Sequence, residues 1–145
     1  MSTPHRKKSR ISYYLGIDYG KSKVGLAMGD SETRIATIYK TLDNDKNLMQ
    51  KLAGIIEREE IKKVIIGIPS RINKKEVVYD GERMGKFIEE KLGVRVEYQN
   101  EMFTTKLAQR HLIEKGVKKI KKFDDQEAAR IILQSWLDGR SSYST

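Results

Sequence analysis

A chain of 145 residues, 38% of them hydrophobic, is the size of one ordinary domain and long enough to bury a core. With no cysteine it excludes disulfides and thiolate chemistry, and no apolar run approaches the ~20 residues that cross a membrane. The net charge of +9 favours a polyanionic partner, nucleic acid first.

Residues 1–12 hold Arg6, Lys7, Lys8 and Arg10 and no acid, so this stretch reads as a basic, disordered tail. No apolar segment of signal-peptide type follows it, and a cytoplasmic location is expected. Residues 13–140 read as a single domain, and 141–145 as a short tail.

Ser12–Asp18 has the composition of a buried strand. Val24–Gly29 and Arg34–Thr41 follow at hairpin distances, separated by turn-like residues, which predicts an antiparallel meander of three strands. The period then changes. Leu48, Leu52, Ile55 and Ile56 share one face of a helix opened by Asp43 or Asp45. Val64-Ile65-Ile66-Gly67-Ile68, closed by Pro69, is a continuous apolar run and predicts a strand covered on both faces. Met84, Phe87, Ile88 and Leu92 form a second amphipathic helix that Gly93 closes, and Val94–Tyr98 alternates as a fifth strand. A helix through Leu107, Ala108, His111 and Leu112 ends at Gly116. The last helix begins near Asp124–Asp125 and carries Ala128, Ala129, Ile132 and Trp136. Tyr13, Tyr14 and Trp136 are expected to pack on the sheet rather than to stack on bases.

The order is therefore βββαβαβαα. Strand–helix–strand crossovers require parallel pairing and covered faces, so the expected fold is α/β: a five-stranded mixed sheet with helices on both faces. In such sheets ligands bind beyond the carboxyl ends of the parallel strands, where Asp18, Pro69 and Glu101 fall.

Leu15-Gly16-Ile17-Asp18-Tyr19-Gly20 places an acid where a buried strand runs out, between two glycines that leave room for a ligand. Glu101 and Asp125 also stand at element boundaries. Three carboxylates converging from rigid elements, without cysteine or a histidine pattern, suit Mg2+ or Mn2+, which take hard oxygen ligands and act on phosphodiesters. Each acid also has a structural reading: Asp18 as a turn acid, Glu101 as an exposed loop acid, Asp125 as a helix cap. Asp124 and Asp30 are possible substitutes for one of the three. His5 lies in the tail and His111 on an apolar helix face; no Ser–His–Asp set, P-loop or zinc spacing is present. Two basic loops are placed to follow a phosphate backbone: Arg71, Lys74 and Lys75 after Pro69, and Lys118, Lys119, Lys121 and Lys122 before Asp125.

These features resemble a known family. The element order and the three acids are those of the ribonuclease H-like fold, and within it the chain is similar to the YqgF or RuvX-like proteins. That family is described both as Holliday junction resolvases and as pre-16S rRNA nucleases. Gly16-Ile17-Asp18-Tyr19-Gly20 with Lys23-Val24-Gly25-Leu26-Ala27 matches its opening motif, and Gly67-Ile68-Pro69 its central strand and turn. Glu101 with Thr104-Thr105 matches a third motif. Asp125-Gln126-Glu127-Ala128-Ala129, followed by Ile132-Leu133-Gln134, matches the final helix. The family usually reads Asp-Glu-Arg where this chain has Asn100-Glu101-Met102, a departure that bears on rate and substrate placement more than on fold.

The resemblance implies that Asp18, Glu101 and Asp125 are metal-binding catalytic acids. It also implies that a metal-activated water attacks the phosphodiester without a covalent enzyme intermediate. The expected substrate is structured RNA, in 5′-end processing of pre-16S rRNA, with branched DNA as the alternative. The expected protein is a monomer or homodimer with no membrane partner. Two other classes compete. One is a nucleic-acid-binding module with weak catalysis, suggested by Asn100 and Met102. The other is a nucleotide-phosphate domain like those of sugar kinases, which need two such domains and more chain than this.

Overall fold

The fold is described from a computed structural model covering residues 10–68, 80–100 and 120–143, with side chains from 125 to 139 in the last segment. The elements in chain order are β1 (Tyr13–Tyr19), β2 (Lys23–Asp30), β3 (Thr37–Asp43), α1 (Leu48–Arg58) and β4 (Ile61–Ile68). α2 (Asp80–Phe87) then runs into a π-helical turn at Ile88–Leu92, followed by β5 (Arg95–Asn100) and α3 (Ile120–Tyr143). The helix expected through Leu107–Leu112 lies outside the described residues.

One sheet holds all five strands in the order β3-β2-β1-β4-β5. β1–β2 and β2–β3 pair antiparallel, as the meander predicted, and β1–β4 and β4–β5 pair parallel. The parallel strands therefore end together, at Tyr19, Ile68 and Asn100.

Alternation along the strands sorts their side chains onto two faces. Leu15, Ile17, Val24, Leu26, Val64 and Ile66 pack under α1 and α2, against Leu52, Ile55, Met84 and Ile88. Ala27 and Ile65 pack on the opposite face, under Ala129, Ile132, Leu133, Trp136 and Leu137 of α3. Each fully buried Leu or Ile contributes about 1.5–3 kcal/mol to holding its helix down. The run Val64–Ile66 feeds both clusters, which explains why it lacks alternation. Among the described residues no helix is long and apolar enough to cross a membrane.

Three element starts and one helix face differ from the expectations. β3 begins at Thr37 rather than Arg34, because Asp30 organises a turn: its Oδ1 accepts from the N–H of Glu32 (2.9 Å) and of Thr33 (2.7 Å), and Arg34 turns left-handed at φ 58°. α1 is not opened by Asp43, which ends β3, and begins only at Leu48. Asp45 shapes the turn before it by accepting from the N–H of Asn47 (2.9 Å). α3 begins at Ile120, well before Asp125, because Lys121 and Lys122 are good helix formers and extend the helix backwards. Phe87 lies exposed, so the apolar face of α2 narrows to Met84, with Ile88 of the π turn beside it.

Candidate active site

Strand alternation decides where Asp18 sits. Tyr14 packs with the α3 cluster, and a Cβ at Gly16 would lie 2.7 Å from Leu133 Cβ, so Tyr14, Gly16 and Asp18 share the α3 face. Asp18 is half-buried at the carboxyl end of β1 and pairs across the ladder with Gly25. Gly25 in turn pairs with Thr41 of β3, whose buried Oγ1 finds no hydrogen-bond partner among the described residues.

Gly25 brings the second acid in. A Cβ there would overlap the main-chain carbonyl of Asp125, so α3 lies directly on the β2 backbone at this point. Asp18 and Asp125, distant in sequence, thus flank the same glycine. Because Asp125 is inside α3 rather than at its start, the helix-cap reading of this acid falls away.

The rest of α3 fixes that register. Glu97 of β5 accepts from Trp136 Nε1 (2.8 Å) and from Lys63 Nζ of β4 (2.7 Å). Lys63 lies 5.3 Å over the Trp136 ring, and Tyr14 meets that ring edge-on at 4.9 Å. Gln134 ties the helix to the β2–β3 loop, donating to the Arg34 carbonyl (2.9 Å) and accepting from the Ala36 N–H (2.8 Å). Tyr14 and Trp136 are sheet-packing residues, as expected.

Among the described residues, a cation stands at the rim. Lys23 shares the face of Gly25, two residues away, and its Nζ lies 2.6 Å from Asp43 Oδ1. That hydrogen bond and the Asp43 charge raise the Lys23 pKa above its ordinary value, and the charge of Asp125 adds to the effect. Lys23 lowers the Asp43 carboxyl in the same way. Lys23 and Gly25 stand in the opening motif, and strand alternation sets both on the face of Asp18. Around the end of β1, on the other face, a cavity of about 340 Å³ is lined by Tyr19, Lys46, Met49, Arg83 and Phe87.

The remaining candidates divide. Asp30 cannot substitute for a site acid, because it pairs with Tyr13 at the opposite end of β1 and its carboxylate is spent on the turn. Glu101 directly follows Asn100, whose partner in register is Ile68, and itself lies outside the described residues, as do Arg71, Lys74, Lys75, Lys118 and Lys119. Lys121, Lys122 and Asp124 belong to the first turns of α3, with side chains outside the described set. Among the described residues no three acids or histidines gather at metal-binding distance. Asp18 and Asp125 supply two hard carboxylate donors, the type that Mg2+ and Mn2+ take one or two of while keeping water.

Comparison with known proteins places the chain in a family. Residues 12–139 match the RuvX family, described as Holliday junction resolvase. A protein of Porphyromonas gingivalis named "Putative pre-16S rRNA nuclease" is 33% identical over 131 residues, covering 86% of this chain and 94% of the relative. A Bacteroides fragilis protein of the same name is 32% identical, covering 88% and 97%. Among solved structures, RuvC of Thermus thermophilus in complex with Holliday junction substrate superposes with a TM-score of 0.59 at 15% identity, covering 89% of this chain and 96% of that one. The fowlpox virus resolvase with Holliday junction DNA gives 0.56 at 14% identity, covering 88% and 97%. These two share the fold.

Proposed function

The chain belongs to the RuvX family of nucleases, and from that membership we propose that it cleaves structured RNA in 5′-end processing of pre-16S rRNA, using Asp18, Asp125 and Glu101 as its metal-binding acids. The observation that supports the site is that Asp18 pairs in register with Gly25 while the main chain of Asp125 lies on that same glycine. The names of the curated relatives support the RNA substrate.

Two carboxylates, one at a strand end and one on a helix whose backbone packs on the sheet, would form an anionic pair. Such a pair repels a phosphodiester unless a cation lies between them. Mg2+ or Mn2+ bound there would supply Lewis-acid polarisation of the phosphoryl oxygens and a water acidified toward neutral pH. Asp18 and Asp125 would hold and orient that centre, and Glu101, following β5 on the same sheet edge, would complete it. The α3–β5 anchor at Trp136 and Glu97 keeps Asp125 in register while substrate binds. A second reading, cleavage of branched DNA, is favoured by the fold shared with resolvases seen on Holliday junctions.

The test is cleavage of an end-labelled pre-16S rRNA 5′ leader and of a four-way DNA junction, with Mg2+ or Mn2+, by wild type and Asp18→Asn. The RNA is expected to be cut by wild type and spared by the variant. Cutting of the junction alone would move the function to DNA. Metal-independent binding of both without cleavage would leave a binding module.

A further inference from the structure

We propose that Lys23 is a phosphate-backbone contact of this active site, meeting the nucleic-acid strand beside Asp18 and Asp125. The inference rests on the nuclease reading for the identity of the strand, and on the following geometry for the residue.

Lys23 opens β2 on the face that carries Gly25, and Gly25 is the residue against which both acids are set. The ammonium is therefore on the rim of the acid pair, on the same side of the sheet as the Asp125 main chain that lies on Gly25. A polyanion approaching two carboxylates needs positive charge at the rim to bring its flanking phosphates in. Lys63, on the same face, is engaged with Glu97 and lies over Trp136. Lys23, by contrast, is half exposed, with 54% of its side chain open to solvent.

The ion pair with Asp43 fits this use. An exposed pair between flexible side chains adds little to the stability of a fold. An ammonium carries three donors, and Asp43 Oδ1 engages one, so a phosphate oxygen can bind alongside. Asp43 is then the resting partner of Lys23, and its own charge opposes the incoming phosphate. The two residues thus have opposite expected effects on binding, although they form one pair. A purely structural pair would give the same sign for both.

The experiment uses the full chain carrying Asp18→Asn, so that substrate is bound and not cut, with a fluorescein-labelled pre-16S leader RNA and a labelled four-way DNA junction as separate probes. Affinity is read by anisotropy over a series of salt concentrations, alongside the melting temperature of each variant. Lys23→Gln is expected to weaken binding roughly 3- to 10-fold and to reduce the salt slope by about 0.7–0.9, the loss of one phosphate contact. Lys23→Arg should restore both, and Asp43→Asn should tighten binding. The RNA and junction arms tell which backbone Lys23 meets. An unchanged salt slope in Lys23→Gln, or equal weakening by Lys23→Gln and Asp43→Asn, overturns the proposal. Because binding is read without turnover, a wild-type protein that cuts neither probe removes the nuclease reading and leaves the Lys23 result standing on its own.

Discussion

Replacing Gly25 by alanine places a methyl group on the Asp125 main-chain carbonyl, which can yield only by moving α3. Overpacking of this kind destabilises by about 1–3 kcal/mol, and here it also shifts one of the two acids. Gly25→Ala is therefore expected to lower the urea midpoint and to reduce cleavage more than the stability loss explains; a variant that keeps wild-type turnover would show that Asp125 need not be seated there. Asp18→Asn acts differently, keeping shape and removing a charged donor. It should leave the melting temperature near wild type and slow cleavage by roughly 100-fold or more, equivalent to about 3 kcal/mol of transition-state stabilisation. The Lys23–Asp43 pair makes a prediction about pH. Asp43 titrates below its ordinary 3.8, so its contribution is present above that value and is lost only as pH falls through the lower folded one. Lys23 titrates above its ordinary 10.5, so its contribution is present below that value and is lost only as pH rises through the higher folded one. Both stay charged across the neutral range, and the affinity lost in Lys23→Gln should be equal at about pH 6 and about pH 9. A several-fold difference between the two would mean that another group titrates in the contact.

At the scale of elements, α3 is the lever that turns packing into site geometry. Its far half is pinned by Trp136, Glu97, Lys63 and Tyr14, and its near half delivers Asp125 to Gly25. Trp136→Phe keeps the ring packing and removes the Nε1 donor to Glu97. It is expected to destabilise by about 1–2 kcal/mol, the range for a bond to a charged acceptor, with equilibrium urea unfolding as the measurement. A midpoint unchanged from wild type would show that Glu97 is satisfied without the indole. The central strands were readable because they are buried: β1, β2 and β4 each carry a run of buried residues, and that of β4 feeds both cores. The starts of β3, α1 and α3 were not. Asp43, Asp45 and Asp124–Asp125 all look like helix caps in sequence, yet Asp43 pairs with Lys23, Asp45 shapes a turn, and Asp125 lies inside a helix. What distinguishes them is a tertiary partner, which local spacing does not carry.

For the whole molecule, the mixed sheet and its two helical layers followed from the order of the elements, because the crossover into β4 forces parallel pairing with β1. The positions of two of the three candidate acids were equally legible: Asp18 at a strand end, with Asp125 in the last helix. What the sequence did not show is the contact that unites them, since nothing in Val24-Gly25-Leu26 announces that a helix backbone lies on the glycine. Nor did it exclude Asp30, an acid of the same kind at a strand end, which the fold sends to the opposite edge of the sheet. The central claim is that Asp18 and Asp125 act as one metal-binding unit. The most direct measurement is single-turnover cleavage of the pre-16S leader RNA in saturating Mn2+ by Asp18→Asn, Asp125→Asn and the double variant. Residues that act as a unit are strongly non-additive, so the double variant is expected to be no slower than the slower single one. Two independent losses that multiply in the double variant, or an Asp125→Asn protein that cuts like wild type, would contradict the account.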